Sequence, residues 1–354
     1  MQNEPRVLLL VLKLSIILTL CVIVLGAYTR LSDAGLGCPD WPGCYGHLSV
    51  PTSTTEIAKA NQLYPHLDVV ESKAWPEMIH RYFAGSLGLL VFAVTWISLR
   101  HNRVGFLLPI SLSIVVIAQA LLGMWTVTLK LMPIVVLAHL FGGFTLLSLL
   151  VLLYTKIRLR NIAPTQINEP LQGAIKPLAL ITLFSVIGQI FLGGWTSANY
   201  AALMCTSLPI CQGEWTQYLN FKTAFTLIQS GHDNYEFGVL DYASRMTIHI
   251  SHRIGAIVVA IVVLLFHWQA KRSADPFLRH QSHWLLFLLL IQITLGISNV
   301  LLQLPLPIAV LHNLCGALIL ITTVRINYVI YVHSKNHNIA TSHSIESHIR
   351  GTHE

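Results

Sequence analysis

Eight apolar stretches, separated by polar segments, divide this 354-residue chain. A helix that crosses a bilayer needs ~20 predominantly apolar residues, and each stretch is long enough. The chain is 54% hydrophobic and only 10% charged, which is far less charge than a soluble protein of this length carries. The pattern predicts an all-α integral membrane protein with spans near 8–28, 79–99, 104–126, 133–155, 175–197, 247–269, 283–303 and 308–332.

The positive charges follow the predicted topology and do not form a nucleic-acid-binding surface. The net charge is +7, and the basic clusters all fall on one side of the eight-span arrangement. The positive-inside rule therefore places both termini in the cytoplasm of a bacterial inner membrane and the long loops, about 29–78 and 198–246, in the periplasm. The first span could also be a cleaved signal peptide, but its counterpart at 175–197 favours a retained helix. The basic residues concerned are Arg6, Arg100, Arg103, Lys156, Arg158, Arg160, Lys271, Arg272 and Arg279.

An internal repeat organises the chain. The stretch that begins LGAYTRL at Leu25 matches LGGWTSA at Leu192, and QALLG at Gln119 matches QITLG at Gln292. The repeat predicts two tandem, pseudo-symmetric four-helix bundles, at 1–160 and 161–354. A polar connector near 157–174, with Pro164 and Pro170, joins them. A polar tail from about 333 is expected to be disordered; its histidines are His333, His337, His343, His348 and His353.

Four histidines stand at matching places in the two halves. His80 and His139 occupy spans 2 and 4, and His252 and His312 occupy spans 6 and 8. An ionisable residue within an apolar span indicates a functional site, and two imidazoles on facing helices can hold a haem iron. The sequence therefore predicts two haem sites near the outer side. A packing role suits a single histidine better than four repeated ones, and zinc would need more ligands than two.

Nearby glycines leave room beside the predicted sites, although close helix packing would explain them equally well. They are Gly85, Gly88, Gly142, Gly143, Gly255 and Gly316.

Two cysteine pairs lie in the long outer loops. Cys38 and Cys44 stand in the first, and Cys205 and Cys211 in the second. The oxidising outer side favours disulfides, and the short spacing favours pairing within each loop. Two alternatives remain: a labile disulfide that passes electrons, and a zinc site that adds His47, which has no counterpart in the second loop.

The two halves differ beside the histidines. Glu77 precedes His80 by three residues, whereas His249 precedes His252 by three. Residues three apart share a helix face, so Glu77 could do acid–base work at a haem edge. Its alternative role is to complement the dipole of a helix whose first turn holds Pro76. Arg81 and Arg253 follow the histidines and could bind haem propionates or lipid phosphates. The first site is thus predicted to be reactive, and the second to hold an electron-transfer or supporting haem.

The motifs resemble those of the haem A synthases of respiratory-oxidase assembly. They are GAYTRLSDAGLGCPDWPGC, the E-x-x-H-R element from Glu77 to Arg81, the second HR pair at His252, and the two late histidines. The resemblance, over roughly residues 8–332, implies oxidation of the C8 methyl of haem O to the formyl group of haem A. It implies that haem O binds at His80 and His139, that a haem b cofactor binds at His252 and His312, that Glu77 is catalytic, and that both cysteine pairs are disulfides.

Two other functions fit the four histidines. One is a di-haem b-type cytochrome for electron transfer, and the other is a haem carrier or assembly scaffold without chemistry. The expected partners are haem O and membrane lipid, with a haem O synthase, an electron-transfer partner and a second copy of the chain as further candidates. Segments near 54–63 and 214–229 are predicted to form interfacial helices.

Overall fold

A computed structural model describes residues 6–100, 105–159, 174–208 and 211–351, with side chains described as far as 334. These ranges contain ten α-helices and a short 3-10 helix at Trp215–Tyr218, with no strand among them. Most of the predicted 157–174 connector, with Pro164 and Pro170, lies outside the described residues, as do Arg103, Arg160 and His353. The helices are α1 Arg6–Leu31, α2 Thr54–Leu63, α3 Glu71–Arg100, α4 Leu107–Thr128, α5 Pro133–Leu159, α6 Ile175–Ala198, α7 Phe221–Ala224, α8 Tyr242–Ala270, α9 Pro276–Leu301 and α10 Leu306–Gly351.

Eight of these helices are long and apolar enough to cross a membrane, which confirms the predicted spans. They are α1, α3, α4, α5, α6, α8, α9 and the Leu306–Ser334 part of α10. The expected interfacial helix at 54–63 is α2. The expected second one at 214–229 is instead the 3-10 helix and the four-residue α7.

Two expectations about helix ends were wrong. Helix α3 begins at Glu71, so Pro76 lies inside it and not in its first turn. Hydropathy marks only the part of a helix that faces lipid, and the first turns of α3 pack on the outer loop through buried Ala74 and Met78. The tail is also not disordered from 333, because α10 remains helical to Gly351. His333 is 7% exposed, and its Nδ1 lies 3.7 Å from Asp275 Oδ2.

Each half of the chain has a closed ring of helix contacts. In the first half α1, α3, α4 and α5 contact in a cycle, and in the second half α6, α8, α9 and α10 do the same. The halves meet through α1, α5, α6 and α10. One core lies within the first ring. A second core fills the other ring and also takes in Phe144 and Leu147 of α5, so apolar packing joins the halves.

The repeat extends to the turns that connect the helices. Leu131 N–H donates to Thr126 O at 2.8 Å, and Leu304 N–H donates to Asn299 O at 2.7 Å. These bonds close helix C-termini with left-handed residues. The pairs Lys130–Leu131 and Gln303–Leu304, which have positive φ, correspond in the repeat. The main chain thus supports the duplication seen in the side-chain motifs.

Candidate functional site

The structure brings the four predicted histidines together as two pairs. The ring centroids of His80 and His139 are 6.5 Å apart, with an interplanar angle of 81°. Those of His252 and His312 are 6.4 Å apart, with an angle of 78°. Each pair joins the second and fourth span of its half, as the sequence predicted. The near-identical geometry shows that the repeat has preserved the site itself.

Every paired histidine lies against a glycine on a neighbouring helix. A Cβ added at Gly26 would lie 2.8 Å from His80 Cε1, and one added at Gly193 would lie 3.0 Å from His252 Cε1. Gly123 and Gly296 stand in the same relation to His139 and His312, at 3.3 and 3.2 Å. Because real Cβ atoms rarely approach so closely, these four glycines leave the space that the imidazoles fill.

Two glutamines contact the rings of the second histidine pair. Gln189 Nε2 lies 3.0 Å from His252 Nδ1 and also donates to the His252 backbone carbonyl at 3.0 Å. Gln292 Nε2 lies 3.2 Å from His312 Nε2. In the repeat, Gln292 corresponds to Gln119, but Gln189 corresponds to Val22. Gln189 thus gives His252 a side-chain partner that His80 lacks at the equivalent position.

The spacing of the pairs fits a metal bound between them. Metal–imidazole bonds are about 2.0–2.1 Å long and a ring nitrogen lies about 1.1 Å from its centroid, so trans ligation separates the centroids by about 6.3 Å. The Nδ1 atoms of His80, His139 and His312 are buried without a hydrogen-bond partner, and such groups require an explanation. No cluster of three or more His, Cys, Asp or Glu that could hold a metal ion occurs among the described side chains. Two imidazoles per site therefore suit a haem iron, which takes two axial ligands, better than zinc.

Glu77 is buried beside the first pair and clamped on two sides. It is 5% exposed. Cys38 N–H donates to its Oε2 at 3.0 Å, and Arg81 donates to its Oε1 at 2.5 Å. Arg81 also donates to the carbonyls of Asp40 and Gly43, which belong to the first cysteine loop. Since α3 starts at Glu71, Glu77 is not a first-turn residue, and complementing the helix dipole does not explain it.

The second half repeats this clamp with a different residue. His249 Nδ1 lies 2.9 Å from Ala201 O, and Arg253 Nε donates to His249 Nε2 at 2.9 Å. Arg253 also donates to Cys205 O at 2.5 Å and to Ser207 O at 2.8 Å. Both arginines thus fasten a cysteine loop to the helix that carries a paired histidine. Only the first half places a carboxylate there.

Several known proteins are similar in sequence to this chain over most of its length. The profile of the COX15-CtaA family, cytochrome oxidase assembly proteins, matches residues 9–324. A heme A synthase of Shewanella oneidensis is 53% identical over 90% of this chain and 96% of its own length. The heme A synthases of Mesorhizobium japonicum and Halalkalibacterium halodurans are 27% and 24% identical, over 82% and 89% of this chain and 82% and 93% of their own lengths. The chain belongs to the haem A synthase family. With its eight apolar helices, this family member is a multi-pass membrane protein.

Both cysteine pairs of this haem A synthase family member are disulfides. Cys38 bonds Cys44, and Cys205 bonds Cys211, as predicted. The zinc alternative is therefore wrong, and His47 instead pairs its backbone with that of Cys44. Within the first loop, the Tyr45 hydroxyl donates to Asp68 O at 2.8 Å. Burial raises the pKa of Tyr45, with Asp68 and Glu77 adding to the effect, so this phenol remains a donor.

The second outer loop also contacts the first half. Lys73 Nζ lies 3.6 Å from Glu236 Oε1, and Tyr235 N–H donates to Lys130 O at 3.1 Å. In the other direction, Arg30 of α1 donates to Ser197 O at 2.7 Å and stacks over the Tyr200 ring at 4.0 Å. These contacts fix the outer ends of the two halves to each other, at the end of the bundles where the histidine pairs lie.

Sequence reasoning missed several residues at these sites. It named Gly85, but a Cβ there would meet nothing within 4 Å, whereas Gly26 and Gly193 support histidines. The repeat motifs already contained both of these glycines. Gln189 was also missed, and its signal was a polar residue in the middle of an apolar span. The loop carbonyls that bind Arg81 and Arg253 had no signal, because backbone contacts are not visible in a side-chain pattern.

Proposed function

We propose that this protein is a haem A synthase, which oxidises the C8 methyl group of haem O to a formyl group. The observation that carries the proposal is the pairing of two equivalent bis-histidine sites with a single buried carboxylate, Glu77. Family membership and the heme A synthase name of its relatives support it. The proposed class of enzyme is an oxidoreductase acting on a CH₃ group.

The two sites take different haems in this proposal. His80 and His139 ligate the substrate haem O, because Glu77 lies on the same helix as His80. His252 and His312, whose rings Gln189 and Gln292 contact, would hold a resident haem b. When bound, haem b supplies a redox centre that accepts electrons removed from the substrate. The apolar walls of each bundle suit the porphyrin ring, and the farnesyl tail of haem O suits the bilayer.

The protein's own residues position the substrate and handle its protons. The glycines at 26 and 123 leave the space that the imidazoles of His80 and His139 fill, so the two rings are held in place to bind the substrate. Glu77 is held in a water-poor place by Cys38 N–H and Arg81. With water as the source of oxygen, the change is R–CH₃ + H₂O → R–CHO + 4 H⁺ + 4 e⁻. The electrons go to the proposed electron-transfer partner, and the Glu77 carboxylate can accept the protons and pass them to the outer side. Arg81 and Arg253 remain candidates for propionate contacts, since a guanidinium has five donors.

We also propose that the protein lies in a bacterial inner membrane, with both termini in the cytoplasm and the disulfide-bonded loops in the periplasm. The distribution of Lys and Arg supports this orientation, and disulfides persist in an oxidising compartment. The proposed partners are a haem O synthase that supplies the substrate and an electron-transfer partner that reoxidises haem b. A homo-oligomer also fits the apolar outer faces.

Production of haem A tests the function directly. The chain is expressed in a host that makes haem O but lacks its own haem A synthase. The extracted haems are separated and identified by their masses in mass spectrometry. We expect haem A to accumulate, with a mass and formyl absorption that haem O lacks. If haem b and haem O are recovered but no haem A, the chain is a di-haem cytochrome or a carrier.

A glycine substitution tests the cofactor site without touching a ligand. Gly193→Leu puts a side chain where a Cβ alone would lie 3.0 Å from His252 Cε1. Overpacking of this kind costs about 1–3 kcal/mol, so we expect haem b to bind about tenfold more weakly or worse. The measurement is haem retained per chain after purification. The matched control is Gly188→Leu on the same helix, where a Cβ meets nothing within 4 Å, and equal haem loss in both variants would refute the steric argument.

A further inference from the structure

A cleft opens between α9 and α10 at the end of the bundle away from the histidines. Its volume is about 390 Å³, within the usual range for ligand pockets. At ~1.5 Å per residue, Arg325 lies about 20 Å along α10 from His312. The cleft is therefore separate from the haem sites. Its lining includes His280, Gln281 and Trp284 from α9 and Leu318, Thr322 and Arg325 from α10.

Arg325 is a membrane-helix cation without an acidic partner. It lies within the Leu306–Ser334 span and is partly exposed. No carboxylate in the described ranges is within ion-pair distance of it, and its guanidinium lies 5.9 Å from the Phe277 ring centroid. A charge inside a span is costly and usually marks a binding or transport site. Arg325 can therefore bind a negatively charged group that enters the cleft.

The other lining residues add donors and apolar walls. Gln281 is 7% exposed, and its side chain lines the cleft. His280 is exposed at the mouth. The Thr322 hydroxyl donates to Leu318 O at 2.7 Å. Trp284 is 46% exposed beside these groups, as is typical of aromatic residues at a membrane interface.

The first half of the repeat shows that the bundle does not need these polar groups. At the offset of 173 that relates Gln119 to Gln292, the counterparts of His280, Gln281 and Arg325 are Leu107, Leu108 and Leu152. The same four-helix ring forms in both halves. The polar set is thus particular to the second half, and the four-helix ring of the first half forms without it.

We propose that this cleft binds the phosphate group of an anionic phospholipid. A guanidinium pairs with phosphate through two parallel hydrogen bonds, and Gln281 and His280 supply further donors. The apolar wall of Trp284 and Leu318 suits a glycerol backbone and acyl chains, which free phosphate lacks. The basic residue Lys271 stands at the same end of the bundle and adds attraction for anionic headgroups.

Native mass spectrometry tests the proposal on the full-length, haem-loaded protein. The protein is released from detergent micelles that contain either phosphatidylglycerol or phosphatidylcholine. We expect the wild type to retain one phosphatidylglycerol in preference to phosphatidylcholine, and inorganic phosphate not to displace it. Arg325→Leu, which copies Leu152, should lower this retention about tenfold, since it removes a charged hydrogen-bond donor.

Two further variants make the outcome decisive. Gln281→Leu, which copies Leu108, should also weaken retention of phosphatidylglycerol. This variant provides the test if Arg325→Leu fails to fold. The control Arg272→Gln removes an exposed cation that stacks on Trp268 at 3.7 Å and should retain the lipid. Equal retention of both lipids, equal retention in all four proteins, or displacement by inorganic phosphate would overturn the proposal. Haem content, measured on the same samples, should stay unchanged, because the cleft is independent of the histidine pairs.

Discussion

Glu77→Gln is expected to abolish most haem A production while the haem content of the protein stays normal. The amide oxygen of glutamine can still accept the Cys38 N–H, so the local structure should hold. The neutral side chain loses its ion pair with Arg81 and can no longer accept a proton as a carboxylate. Removing a positioned acid–base group typically slows catalysis about 10²- to 10⁴-fold. The measurement is haem A formed per unit of haem b-containing protein.

The second half supplies the matched control for this substitution. His249 stands at the position equivalent to Glu77 and contacts the equivalent arginine, Arg253. His249→Gln should reduce turnover far less than Glu77→Gln, because no proton transfer at the substrate depends on it. Full turnover in Glu77→Gln, or an equal loss in both variants, would remove the proposed role of Glu77.

His252→Leu is expected to remove the resident haem b and to stop the reaction. The remaining His312 offers one imidazole, and the apolar substitute cannot ligate iron. The Soret absorbance per chain should fall by about half when both haems are supplied, since one of two bis-histidine sites is lost. Haem A production should cease, because the substrate would have no electron acceptor.

Two other histidine variants separate this effect from general damage. His80→Leu should keep haem b and lose the substrate haem, so extraction would yield haem b alone. His283→Leu changes an exposed histidine of α9 that lies against His267, with ring centroids 4.9 Å apart, and should keep both haems. If His80→Leu and His252→Leu lost the same haem, the assignment of the two sites would be wrong.

The sequence predicted the spans and the paired histidines because both depend on regular patterns. Apolar runs of bilayer length are visible in any hydropathy scan, and the repeat brought His80, His139, His252 and His312 into register. The closed rings of helices then follow, since the second and fourth spans of a four-helix unit can face each other. The disulfides were predictable for a similar reason, as the two cysteines of each pair stand six residues apart in the same loop.

The contacts that hold the site could not be predicted in the same way. Glu77 looked like a first-turn residue because hydropathy does not show that α3 extends to Glu71 under the outer loop. For Arg81 the structure adds contacts that the sequence did not show, to loop carbonyls and to Glu77. His333 was placed in a solvated tail, yet it is buried and lies near Asp275. In each case a tertiary contact decides the environment, and local sequence carries no record of it.

The most direct test of the account is the haem-to-chain ratio of the purified wild-type protein, measured together with its electron paramagnetic resonance spectrum. With haem b and haem O both supplied, we expect two low-spin haem signals from bis-imidazole iron, and one such signal when haem b alone is supplied. A protein that shows no Soret band when both haems are plentiful would contradict the claim that each histidine pair holds a haem iron.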